Sequence, residues 1–175
     1  MASIAFLGRG GQGIVFAATI TAETLFNLGY YVAQLQSYGA EVRGGSVLAY
    51  IVYDNKTIEN PFIEQYDLAI VLHEAGLKRW IKHLEKSKTV IVDKDLVKTR
   101  MDNMVTAPII ENVAREKLSG SENIVAVGIA MQLLLGREAI AVAKSILEKR
   151  SSPEKNIKAL ELGTTIALNL GTNMA

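Results

Sequence analysis

Ile4-Ala5-Phe6-Leu7-Gly8-Arg9-Gly10-Gly11-Gln12-Gly13-Ile14-Val15-Phe16-Ala17-Ala18 reads as strand, glycine turn and helix in one unbroken stretch. The apolar run before Gly8 suits a buried strand. After Gly13, apolar residues recur at helical spacing at Ile14, Ala18, Ala22, Leu25 and Leu28, with Thr19, Glu23 and Asn27 opposite. Glycine lacks a Cβ, so the turn admits positive φ and lets an anion or another backbone come close. A helix that starts there aims unpaired N–H groups and a positive dipole end into the turn.

The pattern continues outward. Gly29 suits a helix stop, and Tyr30 to Gln36 reads as a second strand. Ser37-Tyr38-Gly39-Ala40-Glu41-Val42-Arg43-Gly44-Gly45 is too polar and glycine-rich for a helix, and Ser46 to Tyr53 reads as a third strand. Parallel neighbours need a crossover of about a dozen residues or more, usually helical. The second and third strands are therefore expected to run antiparallel in a mixed sheet. The first two strands, if parallel neighbours joined by the helix after Gly13, would put both glycine loops at one sheet edge.

Further on, Asp67 to Leu72 reads as a buried strand and Glu74 to Lys86 as a helix with Leu77, Trp80, Ile81 and Leu84 on one face. Thr89 to Val92 and Met104 to Ala107 are short strands, and Ile109 to Leu118 is helical. The last third changes character: Ile124–Leu135, Glu138–Lys149 and Glu154–Leu170 read as consecutive helices, the last with Ile157, Leu160, Thr164 and Leu168 on its core face. The expected fold is a three-layer α/β single domain over residues 1–175, with a mixed, mostly parallel sheet flanked by helices and a helical C-terminal third.

Composition excludes several functions. Nineteen basic and eighteen acidic residues leave a net charge of +1, which gives no basis for a nucleic-acid partner. No cysteine is available for a disulfide or a thiolate-held cluster, and two histidines make a histidine metal site unexpected. No stretch reaches the roughly 18 apolar residues of a membrane span. The start carries no basic segment with a signal-type apolar core, so a cytoplasmic protein is expected. No nucleophile–base set suggests a catalytic residue.

Gly8, Gly10 and Gly13 match the dinucleotide pattern G-x-G-x-x-G. A dinucleotide site also wants an acid at the end of the second strand, but that strand ends Gln34-Leu35-Gln36-Ser37. Three readings stay open for the turn: an NAD(P)-binding Rossmann-type enzyme, glycines that serve only turn and packing, and a loop that touches a ligand or partner. The second loop alternates Tyr38, Glu41 and Arg43 between glycines. Glu41 could orient the Arg43 guanidinium, or the two could be an ordinary loop ion pair worth below about 1 kcal/mol. His73, at a strand end beside Glu74, suits either proton transfer or a local hydrogen bond.

Taken together, Gly-Arg-Gly-Gly-Gln-Gly at 8–13 and Ser-Tyr-Gly-x-Glu-x-Arg-Gly-Gly at 37–45 resemble the gamma subunit of 2-oxoacid:ferredoxin oxidoreductases. Asn123-Ile124-Val125-Ala126-Val127-Gly128 is similar to the family's Asn-x-x-x-x-Gly helix start, and Glu154-Lys155-Asn156 with Gly163 to its closing helix. The resemblance implies a multi-subunit enzyme that converts a 2-oxoacid and coenzyme A to acyl-CoA and CO2 and reduces ferredoxin. It implies partners: thiamine diphosphate-binding alpha and beta subunits and a ferredoxin-like delta subunit carrying iron–sulfur clusters, or fused equivalents. This chain would bind no cofactor alone. Its contact residues, toward coenzyme A or a partner subunit, would be Gly8, Arg9, Gly10, Gly11, Gln12 and Gly13 with Ser37, Tyr38, Gly39, Glu41, Arg43, Gly44 and Gly45. A purely structural assembly subunit is a further reading.

Overall fold

Alternation along the first strand sets up two cores. The computed structural model of the chain describes residues 1–39 and 45–174. In strand β1 (Ala2–Arg9), Ile4 and Phe6 point to one face and Ala5 and Leu7 to the other, all fully buried. A strand buried on both faces must lie inside a sheet covered on both sides. It does: the six-stranded sheet runs β2-β3-β1-β4-β5-β6, with β1 near its middle.

The strands are β2 (Tyr31–Tyr38), β3 (Ser46–Asp54), β4 (Leu68–Val71), β5 (Thr89–Asp93) and β6 (Met104–Ala107). β2 and β3 form an antiparallel hairpin, as their short connection requires, and β3 is antiparallel to β1. From β1 to β6 all neighbours are parallel. The sheet is thus mixed and mostly parallel. One expectation is corrected. β1 and β2 point the same way but are not neighbours, because β3 lies between them. The helix after Gly13 carries the chain one strand further than a simple βαβ step, and the hairpin folds back into the gap.

Helices α1 (Ile14–Asn27), α4 (Ile109–Arg115), α5 (Glu122–Leu134), α6 (Arg137–Leu147) and α7 (Pro153–Met174) supply the core on one face. α2 (Glu74–Arg79) and α3 (Ile81–Glu85) cover the other with Leu77, Trp80 and Leu84. The single helix expected over 74–86 breaks at Trp80, whose φ of −115° and ψ of 25° leave the helical basin while its ring stays buried. In α5 every residue from Asn123 to Met131 is buried; a helix with no polar face belongs inside, among other helices. α7 keeps its expected core face at Ile157 and Leu160 but departs from it at Leu168. Its buried residues are Ala159, Leu160, Gly163, Ile166, Ala167 and Leu170, while Leu168 is largely exposed. Gly163 lies so close to α5 that a Cβ there would meet the Val125 carbonyl oxygen at 2.1 Å, and Leu160, Ile166 and Leu170 share its buried face.

Candidate functional site

The topology singles out one place on the sheet. β1 sends its helix, α1, to one face and the chain toward the β3–β2 side. Its parallel neighbour β4 sends α2 to the other face and the chain toward β5 and β6. Beyond the carboxyl ends of β1 and β4 the connections diverge, and open α/β sheets bind ligands outside such a switch point. The glycine loop sits there.

Its shape follows from its own side chain and backbone. The Gln12 N–H donates to the Arg9 carbonyl at 3.1 Å. The Gln12 amide folds back, its oxygen accepting from the Arg9 N–H at 2.7 Å and its nitrogen reaching the Leu72 carbonyl at 3.4 Å. Gln12 therefore spans the gap between the ends of β1 and β4. It occupies the space over Gly8, where a Cβ would lie 2.7 Å from the Gln12 Oε1. Gly11 and Gly13 take φ of +92° and +69°, a region costly for residues with a Cβ. Gly13 is the cap residue of α1, and its carbonyl accepts the first helical bond, from Ala17, at 3.0 Å.

The second loop arrives at the same edge. Arg9 pairs with Ser46 and Tyr38 with Val47, so the ends of β1 and β2 flank the start of β3. The Gly10 N–H donates to the Gly45 carbonyl at 2.7 Å, and the Gly39 N–H donates to the Ser46 carbonyl at 2.7 Å. The structure thus brings Gly8, Arg9, Gly10, Gly11, Gln12 and Gly13 together with Gly39 and Gly45. Ser37 and Tyr38, read from sequence as loop, are the last residues of β2, and Tyr38 stands 59% exposed at this edge. Glu41, Arg43 and Gly44, and the alternation expected between them, lie outside the described residues.

Three neighbours of the loop lay beyond the expected set. Gly76 in α2 packs so closely that a Cβ there would meet the Gly8 N at 2.7 Å. The Leu72 carbonyl anchors Gln12. Asn123, at the start of α5, donates from Nδ2 to the Gly13 carbonyl at 3.2 Å. Asn123 was visible in the sequence as a helix-start motif, but nothing local tied it to a loop 110 residues away.

Polar groups on the β4–β5 side of the edge serve structure. His73 caps α2, its Nδ1 accepting from the Ala75 N–H at 3.1 Å, so the local hydrogen bond is the role observed. Glu74 accepts from the Thr99 hydroxyl at 2.5 Å and from the Lys98 N–H at 2.8 Å. Burial opposes its charge, but these bonds win and hold its pKa down at about 2, against an ordinary 4.5. A depressed carboxylate contributes stability that is fully present above the ordinary value and is lost as pH falls toward the folded one. The melting temperature of the native chain should therefore fall between about pH 4.5 and 2 more steeply than that of Glu74→Gln. Parallel melting curves across that range would exclude Glu74 as a clip between α2 and the 94–103 segment. Asp93, fully buried, caps α4 by accepting from the Ile110 N–H at 2.8 Å.

Among the described residues, no group of three or more acidic or histidine side chains is placed to hold a metal, and no helix is long and apolar enough to cross a membrane. The arrangement is also not a dinucleotide site in the usual form. The strand after α1 is separated from β1 by an antiparallel one, and it ends Gln36-Ser37-Tyr38 without an acid.

Comparison with known proteins decides the family: the description "Pyruvate ferredoxin/flavodoxin oxidoreductase" matches residues 3–166. The chain belongs to this family. It is a gamma subunit of the 2-oxoacid:ferredoxin oxidoreductases, as the paired glycine motifs imply. The 2-oxoglutarate synthase subunit KorC of Archaeoglobus fulgidus is 32% identical over 92% of this chain and 85% of its own length. The common gamma subunit of the pyruvate/ketoisovalerate oxidoreductases of Pyrococcus furiosus is 39% identical over 54% of this chain and 58% of its own. The crystal structure of a keto/oxoacid ferredoxin oxidoreductase gamma subunit from Geobacter sulfurreducens superimposes with a TM-score of 0.79 at 29% identity, covering 97% of this chain and 99% of that one. The gamma subunit is thus part of an enzyme complex, and its fold is that of its relatives.

Proposed function

We propose that the two glycine loops of this gamma subunit form one contact site, used toward coenzyme A or toward the face of the thiamine diphosphate-bearing subunits. The complex would oxidatively decarboxylate a 2-oxoacid, form its acyl-CoA and pass electrons to ferredoxin. The observation that carries the reading is the Gly10–Gly45 bond, which joins both motifs at the switch point of the sheet. The chemistry suits an anion: α1 turns its first N–H groups toward the loop, and Arg9 and Arg43 add positive charge from the two motifs. Coenzyme A brings phosphates; a partner subunit would bring carboxylates. The iron–sulfur clusters do not fit this chain, which has no cysteine, and belong with other subunits.

Arg43→Lys keeps the charge and loses the bidentate fork, so it separates these uses. In the assembled complex we expect the variant to weaken the contact by about tenfold, the scale of one charge-assisted hydrogen bond. A raised Michaelis constant for coenzyme A with intact assembly marks the coenzyme site. Weakened assembly marks the interface. No change in either removes Arg43 from the site.

A further inference from the structure

We propose that Asn123 is the positioning residue of the glycine loop; this rests on the reading that the loop is a contact site. Three observations converge on it. Its Nδ2 donates to the Gly13 carbonyl at 3.2 Å, across 110 residues of sequence. Its amide lies so close over the Gly13 α-carbon that a Cβ there would come within 2.3 Å of Nδ2. Its side chain is buried, so this contact is shielded from competing water.

The consequence follows from peptide geometry. The Gly13–Ile14 peptide is planar and trans, so its carbonyl and its N–H point in opposite directions. Two donors hold that carbonyl, the Ala17 N–H at 3.0 Å and the Asn123 amide. Fixing the carbonyl fixes the Ile14 N–H. That N–H is the first of α1, has no partner within the helix, and points toward the loop. α1 has no side-chain cap of its own at Gly13, and the residue there cannot supply one. Asn123, from the start of another helix, constrains the same end of α1 from outside. The arrangement leaves the N–H groups without a hydrogen-bond partner among the described residues while removing their freedom to tilt, which lowers the ordering cost of binding a ligand or partner.

The test uses Asn123→Asp and Asn123→Ala in the assembled complex. Aspartate keeps the shape but turns an acceptor onto the Gly13 carbonyl and a negative charge toward the anion site. Alanine only removes the donor. If Asn123 positions the loop, whichever constant Arg43→Lys moves — the Michaelis constant for coenzyme A or the assembly constant — should worsen by about tenfold in Asn123→Asp, and by less in Asn123→Ala. The Ile14 amide resonance, read in the complex assembled with isoleucine-labelled gamma subunit, should shift in both, with helix content unchanged. A packing role alone predicts the reverse order, with isosteric aspartate the milder change. That order, or normal binding constants with a lowered melting temperature, would overturn the proposal. If Arg43→Lys and Gly13→Val move neither constant, the contact site itself is wrong. If they move one and neither Asn123 variant does, only the positioning role fails.

Discussion

Gly13→Val is expected to reduce the activity of the assembled complex roughly a hundredfold, the penalty for displacing a positioned group by about 1 Å. Two costs meet at this residue. The φ of +69° is a left-handed conformation in which a residue with a Cβ costs about 1–3 kcal/mol, and a β-branched one lies at the upper end. The new Cβ would also fall 2.3 Å from the Asn123 amide, and that side chain must move for the chain to fold. For a chain of this size, ~2–3 kcal/mol corresponds to a melting temperature lowered by about 4–12 °C. The gamma subunit would therefore still fold at moderate temperature, with its glycine loop displaced. Gly11→Val provides the control. Its φ is +92°, so the backbone cost is similar, but nothing lies within 4 Å of the added Cβ. The difference between the melting temperatures of the two variants isolates the contact with Asn123. If Gly13→Val lowers the melting temperature and activity per assembled complex is unchanged, the glycine serves turn geometry alone.

How much of this was legible in the sequence depends on the range of the forces involved. The strand–turn–helix at the start is local: apolar alternation, glycines and helical spacing all act within a few residues, and β1 and α1 appear where the pattern puts them. The antiparallel hairpin was legible because chain length forbids the alternative. The insertion of β3 between β1 and β2 was not, since no local signal says which strand fills a gap. The break at Trp80 was hidden because apolar spacing at Leu77, Trp80, Ile81 and Leu84 fits one helix or two short ones that bury the same side chains. One position on the face of α7 was misassigned for a related reason. Helical spacing put Leu168 on the core face, but the helix meets α5 at Gly163, and Ala159, Leu160, Ile166, Ala167 and Leu170 take the buried positions. At the site, the two loops could be paired by motif and topology, whereas Leu72, Gly76 and Asn123 entered only through tertiary contact.

That close approach carries a second large expected effect, this one on stability alone. Gly128 of α5 and Gly163 of α7 face each other. A Cβ on Gly128 would lie 2.2 Å from the Leu160 carbonyl oxygen, and one on Gly163 would lie 2.1 Å from the Val125 carbonyl oxygen. Both obstacles are backbone, which cannot step aside as a flexible side chain can. Taken by itself, glycine to alanine inside a helix stabilises by about 1 kcal/mol. Here the helices must separate along a buried contact, and overpacking of this kind costs ~3 kcal/mol or more. The clash outweighs the propensity, so Gly163→Ala is expected to lower the melting temperature by about 4–8 °C after that offset. Gly171→Ala, in the same helix with nothing within 4 Å of its Cβ, should be neutral or mildly stabilising. The double variant Gly128→Ala, Gly163→Ala carries the sharper test. The first alanine forces the helices apart, and the second then finds part of its space already open. The combined loss should fall short of the sum of the single losses by about 1 kcal/mol or more, as for residues that share one contact. Strict additivity in denaturant unfolding would mean that the two glycines act at separate places, and that α5 and α7 are not held at glycine distance here.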